Sequence, residues 1–296
     1  MTAHSLKVAL LQQSISANKA DNLAKCISQI RVAACQGAKI ILLPELHNTA
    51  YFCQTENTDN FDLAEPIPGP SSEIFSALAA ELNIVIVCSL FERRSAGLYH
   101  NTVAVLDTDG SLAGIYRKMH IPDDPGYHEK FYFTPGDLGF HPIKTTIANL
   151  GILICWDQWF PEAARLMTLA GADLLLFPTA IGWDPLDDND EKHRQLDAWE
   201  TIQRGHAIAN GIPVMSCNRF GFEASPADKN TGIDFWGSSF IAGPQGELLA
   251  SAASNETALL TAELDLKHSE QVRRIWPYLR DRRIDAYQDL LLRFRD

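Results

Sequence analysis

The stretch Leu150-Gly-Ile-Leu-Ile-Cys155-Trp-Asp-Gln-Trp-Phe-Pro161 decides the fold. Its apolar first half predicts a buried β-strand, and Pro161 is typical of the first turn of a helix. A strand that passes through a short turn into a helix is a common unit of layered α/β proteins. Cys155 lies at the junction, where helix N-terminal amides would favour its thiolate. It is therefore either a nucleophile or a core cysteine, because free cysteines are often buried.

The same alternation of apolar strands and amphipathic helices continues on both sides of this stretch. Helices are predicted over residues 20–36, 71–82, 161–170 and 191–210, and Ser71 or Ser72 is expected to cap the second. Strands are predicted over residues 8–11, 39–44, 84–90, 102–106, 112–116, 150–154, 173–177, 213–217, 235–242 and 259–264. The turn 243–246 is expected to join the last two strands. This pattern indicates an α/β domain with helices on both outer faces.

The chain shows no sign of division into domains. No Pro-, Gly- or Ser-rich linker interrupts it, so residues 1–296 are predicted to form a single domain. The last stretch, residues 273–296, is rich in arginine and aromatic side chains. It is either a surface tail or a segment that packs on a partner subunit, and the pattern does not choose between them.

Composition and charge exclude several classes of protein. A net charge of −12 disfavours binding to nucleic acid or anionic membranes, because their phosphate groups would be repelled. The first seven residues are polar, and no apolar run resembles a signal-peptide core or a membrane span. Six irregularly spaced cysteines, with no Cys-x-x-Cys or His-Glu-x-x-His motif, indicate neither a disulfide framework nor a zinc site. A cytoplasmic location is expected.

Two charged residues follow apolar runs in the way that Cys155 does. Glu45 comes after Ile-Ile-Leu-Leu-Pro44, and Lys118 comes after Gly-Ile-Tyr-Arg117. Taken singly, Glu45 is either a paired structural charge or a base, and Lys118 is a solvated strand-end lysine or part of a site. Strand ends gather the sites of layered α/β folds. A base, a cation and a thiol that converge there are the parts needed for acyl transfer.

Three segments of the chain resemble, in order, the motif blocks of the nitrilase superfamily of carbon–nitrogen hydrolases. They are Leu42-Leu-Pro-Glu-Leu46, Tyr116-Arg-Lys-Met-His-Ile-Pro122 and Ile152-Leu-Ile-Cys-Trp-Asp157. The spacing fits too: 118 − 45 = 73 residues, then 155 − 118 = 37 residues. The resemblance implies an αββα sandwich that forms a four-layer assembly as a homodimer or higher homo-oligomer. It also implies that no metal or organic cofactor is used.

The resemblance further implies a role for each motif residue. Cys155 would be the nucleophile, and Glu45 the general base that takes its proton and later activates water. Lys118 would stabilise the oxyanion, together with the backbone N–H of Trp156. Glu129, in Tyr127-His-Glu-Lys, matches a second glutamate that positions the lysine and the substrate. A Cys–His mechanism through His120 or His128 would explain fewer of these residues.

Within the superfamily, the chain resembles the amidases of carbamoylated diamines. The matching segments cover residues 50–54, 120–127, 129–137, 155–165, 204–206, 239–244 and 280–283. This resemblance implies that the ureido group of a small cationic substrate is hydrolysed to an amine, ammonia and carbon dioxide.

The loop after the strand 173–177 is the expected site of the substrate's ammonium group. It carries four acids, Asp184, Asp187, Asp188 and Asp190. Asp184, beside Trp183, is the first choice, because an aromatic ring and a carboxylate together bind a cation. The alternative is a solvated acidic loop. Either Arg117 or Arg219 would suit a carboxylate-bearing substrate instead.

The aliphatic part of the substrate is expected to contact apolar side chains beside the motif residues. These are Tyr51, Tyr127, Trp156 and Ala180. The aromatic members of this set are also ordinary core residues in many proteins. Three rival functions remain. The first is another amidase of the superfamily, such as a carbamoyl-amino-acid, ureidopropionate or ω-amide hydrolase. The others are a non-catalytic scaffold and a glutaminase module that supplies ammonia to a separate synthase.

Overall fold

A computed structural model describes residues 5–296; residues 1–4 of the polar start lie outside the described part. The strands over the described residues are, in chain order, β1 Ser5–Gln12, β2 Ile40–Leu42, β3 Val85–Ser95, β4 Leu98–Leu106, β5 Leu112–Arg117, β6 Ile143–Lys144, β7 Asn149–Ile152, β8 Leu174–Thr179, β9 Gly182–Trp183, β10 Val214–Asn218, β11 Phe220–Ala224, β12 Gly232–Trp236, β13 Phe240–Ala242, β14 Leu248–Ser251 and β15 Ala258–Asp265. The α-helices are α1 Lys19–Cys35, α2 Pro70–Leu82, α3 Glu129–Tyr132, α4 Pro161–Leu169, α5 Asn189–Asn210 and α6 Leu266–Ile275. Short 3₁₀ turns cover Phe52–Gln54, Thr58–Leu63, Cys155–Trp159, Ile284–Ala286 and Gln288–Leu291.

Two six-stranded sheets form the middle of the molecule. The first has the strand order β15-β1-β2-β3-β4-β5, and the second has the order β14-β13-β10-β8-β7-β6. The central strands β1, β2 and β3 run parallel, as do β7, β8 and β10, while the outer strands pair antiparallel. A small third sheet, β11-β12-β9, lies apart from both.

Side-chain alternation along the strands produces the layers. On β1, Val8 and Leu10 belong to the core that both six-stranded sheets share, whereas Ala9 and Leu11 pack with α1 and α2. On the far side, α4 and α5 cover the second sheet through buried residues such as Met167 and Trp199. The order is helices, sheet, sheet, helices, which confirms the expected αββα sandwich.

The structure corrects two local predictions. The cap of α2 is Gly69, with Pro70 as the first helical residue. Ser72 helps from inside the helix, where its Oγ accepts the backbone N–H of Gly69 at 2.8 Å. Ser71 instead donates its hydroxyl to Glu65 at 2.7 Å.

Among residues 5–296, no helix is both long and apolar enough to cross a lipid bilayer.

The predicted strand over residues 235–242 is wrong as a single element. Gly237 and Ser238 have φ values of 54° and 52°, which break the extended backbone. As a result, β12 ends at Trp236 in the third sheet, and β13 begins at Phe240 in the second. The turn 243–246 then leads into β14, a strand that the sequence did not indicate, before the chain reaches β15.

Candidate active site

The three motif residues lie just beyond the carboxyl ends of their strands, where the two large sheets meet. Glu45 follows β2, Lys118 follows β5, and Cys155 follows β7. Glu45 and Lys118 are 0% exposed and Cys155 is 4% exposed. Backbone hydrogen bonds hold two of these residues in place. The N–H of Glu45 donates to the Thr179 carbonyl at 3.3 Å, and the N–H of Lys118 donates to the Asn101 carbonyl at 2.9 Å.

Lys118 lies between two buried carboxylates. Its Nζ is 2.8 Å from Glu45 Oε1 and 2.6 Å from Glu129 Oε2. Burial alone would lower the pKa of Lys118, but the negative charges of Glu129 and Glu45 outweigh it and hold that pKa well above its usual value. Lys118 is therefore a permanent cation. An ammonium has three N–H donors, so one remains for a further acceptor. We call these three residues the charged cluster.

The second glutamate of the charged cluster is held by a tyrosine. Helix α3 starts at Glu129, and the Tyr51 hydroxyl donates to Glu129 Oε1 at 2.7 Å. Burial raises the pKa of Glu129 to about 7, against the opposing charge of Lys118 and with the help of Glu45.

The two oxygens of Glu45 are in different surroundings. Oε1 accepts from Lys118 Nζ at 2.8 Å and from Asn101 Nδ2 at 2.6 Å. Oε2 is buried and has no hydrogen-bond partner among the described residues. A buried acceptor without a partner is energetically costly and is common where a group must react. Oε2 is therefore the oxygen that is free to take a proton.

Cys155 stands on a strained turn. Its φ is +45°, in the left-handed region that non-glycine residues seldom adopt, and its Sγ is 3.7 Å from the Ala180 carbonyl. Burial raises the pKa of the Cys155 thiol well above its usual value, Glu45 adds to the rise, and Lys118 opposes it. Helix α4 begins six residues later, at Pro161, so Cys155 lies outside the first turn of that helix. Burial thus opposes the thiolate that the sequence pattern favours.

Asp157 holds the turn that carries Cys155. Its Oδ2 accepts the N–H of Ile154 at 2.9 Å and the Tyr116 hydroxyl at 2.8 Å. Its Oδ1 lies 2.7 Å from Nδ1 of His120, whose ring stacks on Phe160. His120 is thereby engaged with Asp157. This arrangement gives no support to a Cys155–His120 pair.

An open cavity of about 760 Å³ reaches Cys155. Five of the six predicted substrate-binding residues line it, namely Tyr127, Trp156, Ala180, Trp183 and Asp184. Tyr51 does not: it is buried beside the cavity wall, with its ring 5.5 Å from that of Tyr127. The charged cluster also lies outside the lining. Of Glu45, Lys118, Glu129 and Cys155, only Cys155 lines the cavity.

The acidic residues near the cavity separate into two groups. Asp184 and Asp187 line it, as does Asp124, which the sequence pattern did not single out. We call these three the cavity carboxylates. Asp188 instead caps α5 by accepting the N–H of Glu191, and Asp190 lies in the first turn of that helix.

Neither arginine considered for a carboxylate-bearing substrate reaches the cavity. Arg117 is paired with Glu92 at 2.7 Å and with Asp137 at 3.0 Å. Arg219 is fully buried, where it donates to the carbonyl of Glu45 at 2.7 Å and pairs with Glu223 at 2.8 Å. Among the described residues, no arginine or lysine lines the cavity.

Asn101 and Asp157 are site residues that sequence reasoning missed. Both are 0% exposed. Asn101 had a usable signal, since asparagine is depleted inside strands and here it precedes the apolar run of β4. No cluster of three or more histidine, cysteine or acidic side chains with metal-binding geometry occurs within residues 5–296.

Comparison with known proteins gives concordant results. The sequence model of the carbon–nitrogen hydrolase family matches residues 7–274. An N-carbamoylputrescine amidase from Solanum lycopersicum is 46% identical over 286 residues, which cover 96% of this chain and 94% of that protein. A citrullinase from Francisella tularensis is 45% identical and covers 98% and 99%. The crystal structure of a carbon–nitrogen hydrolase from Helicobacter pylori G27 has a TM-score of 0.95 and 50% identity, with 99% and 100% covered.

Proposed function

The chain belongs to the carbon–nitrogen hydrolase family of the nitrilase superfamily, and we propose that it hydrolyses N-carbamoylputrescine to putrescine, ammonia and carbon dioxide. The enzyme is an amidase by its family and relatives. The particular substrate, and with it a place in polyamine biosynthesis, is the proposal. This substrate carries a ureido group, which the Cys155 thiol attacks, and an ammonium group, which the cavity carboxylates bind.

In the first half of the proposed reaction, Cys155 Sγ attacks the ureido carbon while Glu45 Oε2 takes the thiol proton. The resulting oxyanion accepts the free N–H of Lys118 and the backbone N–H of Trp156. Such donors, placed before the charge develops, each contribute on the order of 10²–10³ in rate. The carbon–nitrogen bond then breaks, and Glu45 returns the proton to the departing nitrogen.

In the second half, water attacks the carbamoyl group on Cys155 and gives up a proton to Glu45. The carbon–sulfur bond breaks, the thiol is restored, and the released carbamic acid separates into carbon dioxide and whichever of putrescine and ammonia did not depart in the first half. The unpartnered Oε2 of Glu45 supports both proton transfers. Glu129 keeps Lys118 in place from the opposite side, at 2.6 Å.

The lining of the cavity is the observation that carries the choice of substrate. Its described charged residues are the three cavity carboxylates, with no arginine or lysine. Trp183 adds an aromatic ring next to Asp184 and is itself held by a hydrogen bond from Nε1 to the Lys192 carbonyl at 3.0 Å. A carboxylate beside an indole suits an ammonium ion. It offers nothing to a substrate carboxylate.

Citrulline is the second candidate, because one relative at 45% identity is a citrullinase. Citrulline carries the same ureido group on a similar chain, with a carboxylate beside its ammonium group. That carboxylate would lie among the cavity carboxylates without a cationic partner. Uncompensated like charges disfavour such binding, so the lining supports the diamine over the amino acid.

The test is to measure kcat/KM for N-carbamoylputrescine, L-citrulline and N-carbamoyl-β-alanine, and to run Cys155→Ala alongside. We expect N-carbamoylputrescine to be preferred by about 100-fold or more, equivalent to roughly 2.8 kcal/mol, and activity to vanish in Cys155→Ala. Preference for a carboxylate-bearing substrate would overturn the substrate but leave the thiol chemistry. No turnover of any ureido compound by protein with an intact thiol would favour the scaffold.

We also propose that this single-domain protein is a homodimer or higher homo-oligomer in the cytoplasm, and that residues 273–296 pack on the partner. Large apolar side chains in this segment are exposed in the single chain: Ile275 is 75%, Leu291 93% and Phe294 80% exposed. Exposed apolar groups at this density are typical of an interface. Sedimentation should show a smaller species for Leu291→Asp/Phe294→Asp than for wild type. An unchanged sedimentation coefficient would argue for a surface tail.

A further inference from the structure

Asn101 is a buried polar residue that forms hydrogen bonds with both Glu45 and Lys118. It lies in β4 and is 0% exposed. Its side-chain Nδ2 donates to Glu45 Oε1 at 2.6 Å, and its backbone carbonyl accepts the N–H of Lys118 at 2.9 Å. One residue therefore contacts Glu45 through its side chain and Lys118 through its main chain.

A hydrogen-bond relay determines which way the Asn101 amide faces. Ser89 Oγ accepts the backbone N–H of Leu46 at 3.1 Å, so its own proton is available to Asn101 Oδ1 at 3.4 Å. The carbonyl end of the amide is thus the acceptor toward Ser89. The NH₂ end is left to donate to Glu45, and an amide in this orientation binds the ionised carboxylate.

We propose that Asn101 is a positioning residue that occupies Oε1 of Glu45 and so leaves Oε2 as the oxygen that accepts the Cys155 proton. This inference rests on the proposed use of Glu45 as the general base. Lys118 binds Oε1 as well, so both donors act on the same oxygen. A carboxylate held in this way cannot rotate without breaking two hydrogen bonds to Oε1.

The pH response of the site depends on every ionisable group close to Glu45. Those groups are Lys118, Glu129, the guanidinium of Arg219, the thiols of Cys155 and Cys53, and the phenols of Tyr51 and Tyr127. The Asn101 amide, by contrast, is a neutral hydrogen-bond donor that does not ionise. Its removal therefore changes the hydrogen bonding of Glu45 and leaves the formal charges of the cluster as they were.

Kinetics of two variants with N-carbamoylputrescine test the proposal. Asn101→Ala should lower kcat by about 30-fold, part of the roughly 10²–10⁴ that a general base contributes. KM should stay within about twofold, because Asn101 does not line the cavity. The acid limb of kcat/KM should move to higher pH, since the ionised Glu45 has lost a donor.

The activity of Asn101→Asp should depend on pH in the opposite sense to that of Asn101→Ala. When protonated, the new carboxyl can donate to Oε1 as the amide does, whereas its ionised form repels Glu45. Its residual activity should therefore rise as the pH is lowered. If both variants lose activity equally at every pH and keep the wild-type profile, the role of Asn101 is merely structural and the proposal is overturned.

Alkylation by iodoacetamide separates this proposal from the choice of substrate. The Cys155 sulfur–carbon bond forms, iodide leaves, and the thiol proton goes to Glu45, so no ureido compound is needed. Mass spectrometry of the Cys155 peptide should show alkylation about tenfold slower in Asn101→Ala at neutral pH. A wild-type rate would overturn the positioning role. A slower rate without turnover of N-carbamoylputrescine would support it and reject only the substrate.

Asn22→Ala is the matched control. Asn22 is likewise 0% exposed, and its Nδ2 donates to the Ser16 carbonyl at 2.7 Å, away from the charged cluster. This variant should lose thermal stability and keep the wild-type pH profile and alkylation rate. An Asn22→Ala variant that shifts the acid limb as Asn101→Ala does would mean that the shift reflects general loosening, which also overturns the proposal.

Discussion

The charged cluster and the cavity carboxylates use the same functional group in opposite surroundings. Glu45 and Glu129 are 0% exposed and share one lysine at 2.8 and 2.6 Å. Asp124 and Asp184 are exposed to solvent on loops. Water screens the second group, whereas the first depends on its cation. In the proposed function, the site therefore separates chemistry from recognition: the reacting groups lie buried at strand ends, and the groups that select the substrate lie on solvent-exposed loops.

Removing the cation of the charged cluster should have the largest effect. We expect Lys118→Met to lower kcat by at least about 10³-fold, because an oxyanion donor is lost and Glu45 loses a partner. Two buried carboxylates are left without a cation, and breaking such a pair costs about 3–5 kcal/mol. Protons can neutralise them at low pH, as the Glu129 pKa of about 7 already indicates. The loss of urea stability should therefore grow from pH 6 to pH 8.5.

An exposed ion pair provides the control for Lys118→Met. Arg31 pairs with Glu81, and their side chains are 47% and 54% exposed. Arg31→Met should leave both kcat and the urea midpoint near wild type, because a solvated pair contributes little. If the Lys118 and Arg31 variants behaved alike, burial would not be what distinguishes the charged cluster.

Changing a cavity carboxylate should have a smaller effect, confined to binding. We expect Asp184→Asn to raise KM for N-carbamoylputrescine by about fivefold and to change kcat little, since a solvent-screened charge contributes about 1 kcal/mol or less. Asp188→Asn is the matched control, because asparagine caps a helix as well as aspartate does and Asp188 does not line the cavity. Equal KM values in the two variants would remove Asp184 from the ammonium site, and a large fall in kcat would place it in the chemistry.

The sequence was sufficient to place the motif residues, for a physical reason. Buried strands are continuous apolar runs, so a charged residue or thiol directly after such a run marks a strand end. Such a run precedes each of Glu45, Lys118 and Cys155. In the structure these residues lie just beyond β2, β5 and β7, respectively. The spacing of the three motif blocks then identified the fold, which the αββα layers confirm.

The parts that the sequence did not predict depend on contacts between distant segments. Tyr51 was expected to contact substrate, but its hydroxyl binds Glu129, 78 residues away. Asn101 lies 56 residues from its partner Glu45. The state of the Cys155 thiol follows from its burial and from Glu45, which local helix amides could not indicate. The break at Gly237 and Ser238 reflects left-handed backbone in an otherwise strand-like run.

The raised pKa of the Cys155 thiol has a consequence for the lifetime of the protein under oxidative stress. Peroxides attack thiolates far faster than thiols. Because burial and Glu45 raise the pKa of the resting thiol, they disfavour the thiolate form that oxidants attack fastest. Within the proposed cycle, the sulfur gives up its proton as it attacks the substrate, and the bound substrate then shields it. The exposed thiol of Cys35 is then the one that oxidants meet first.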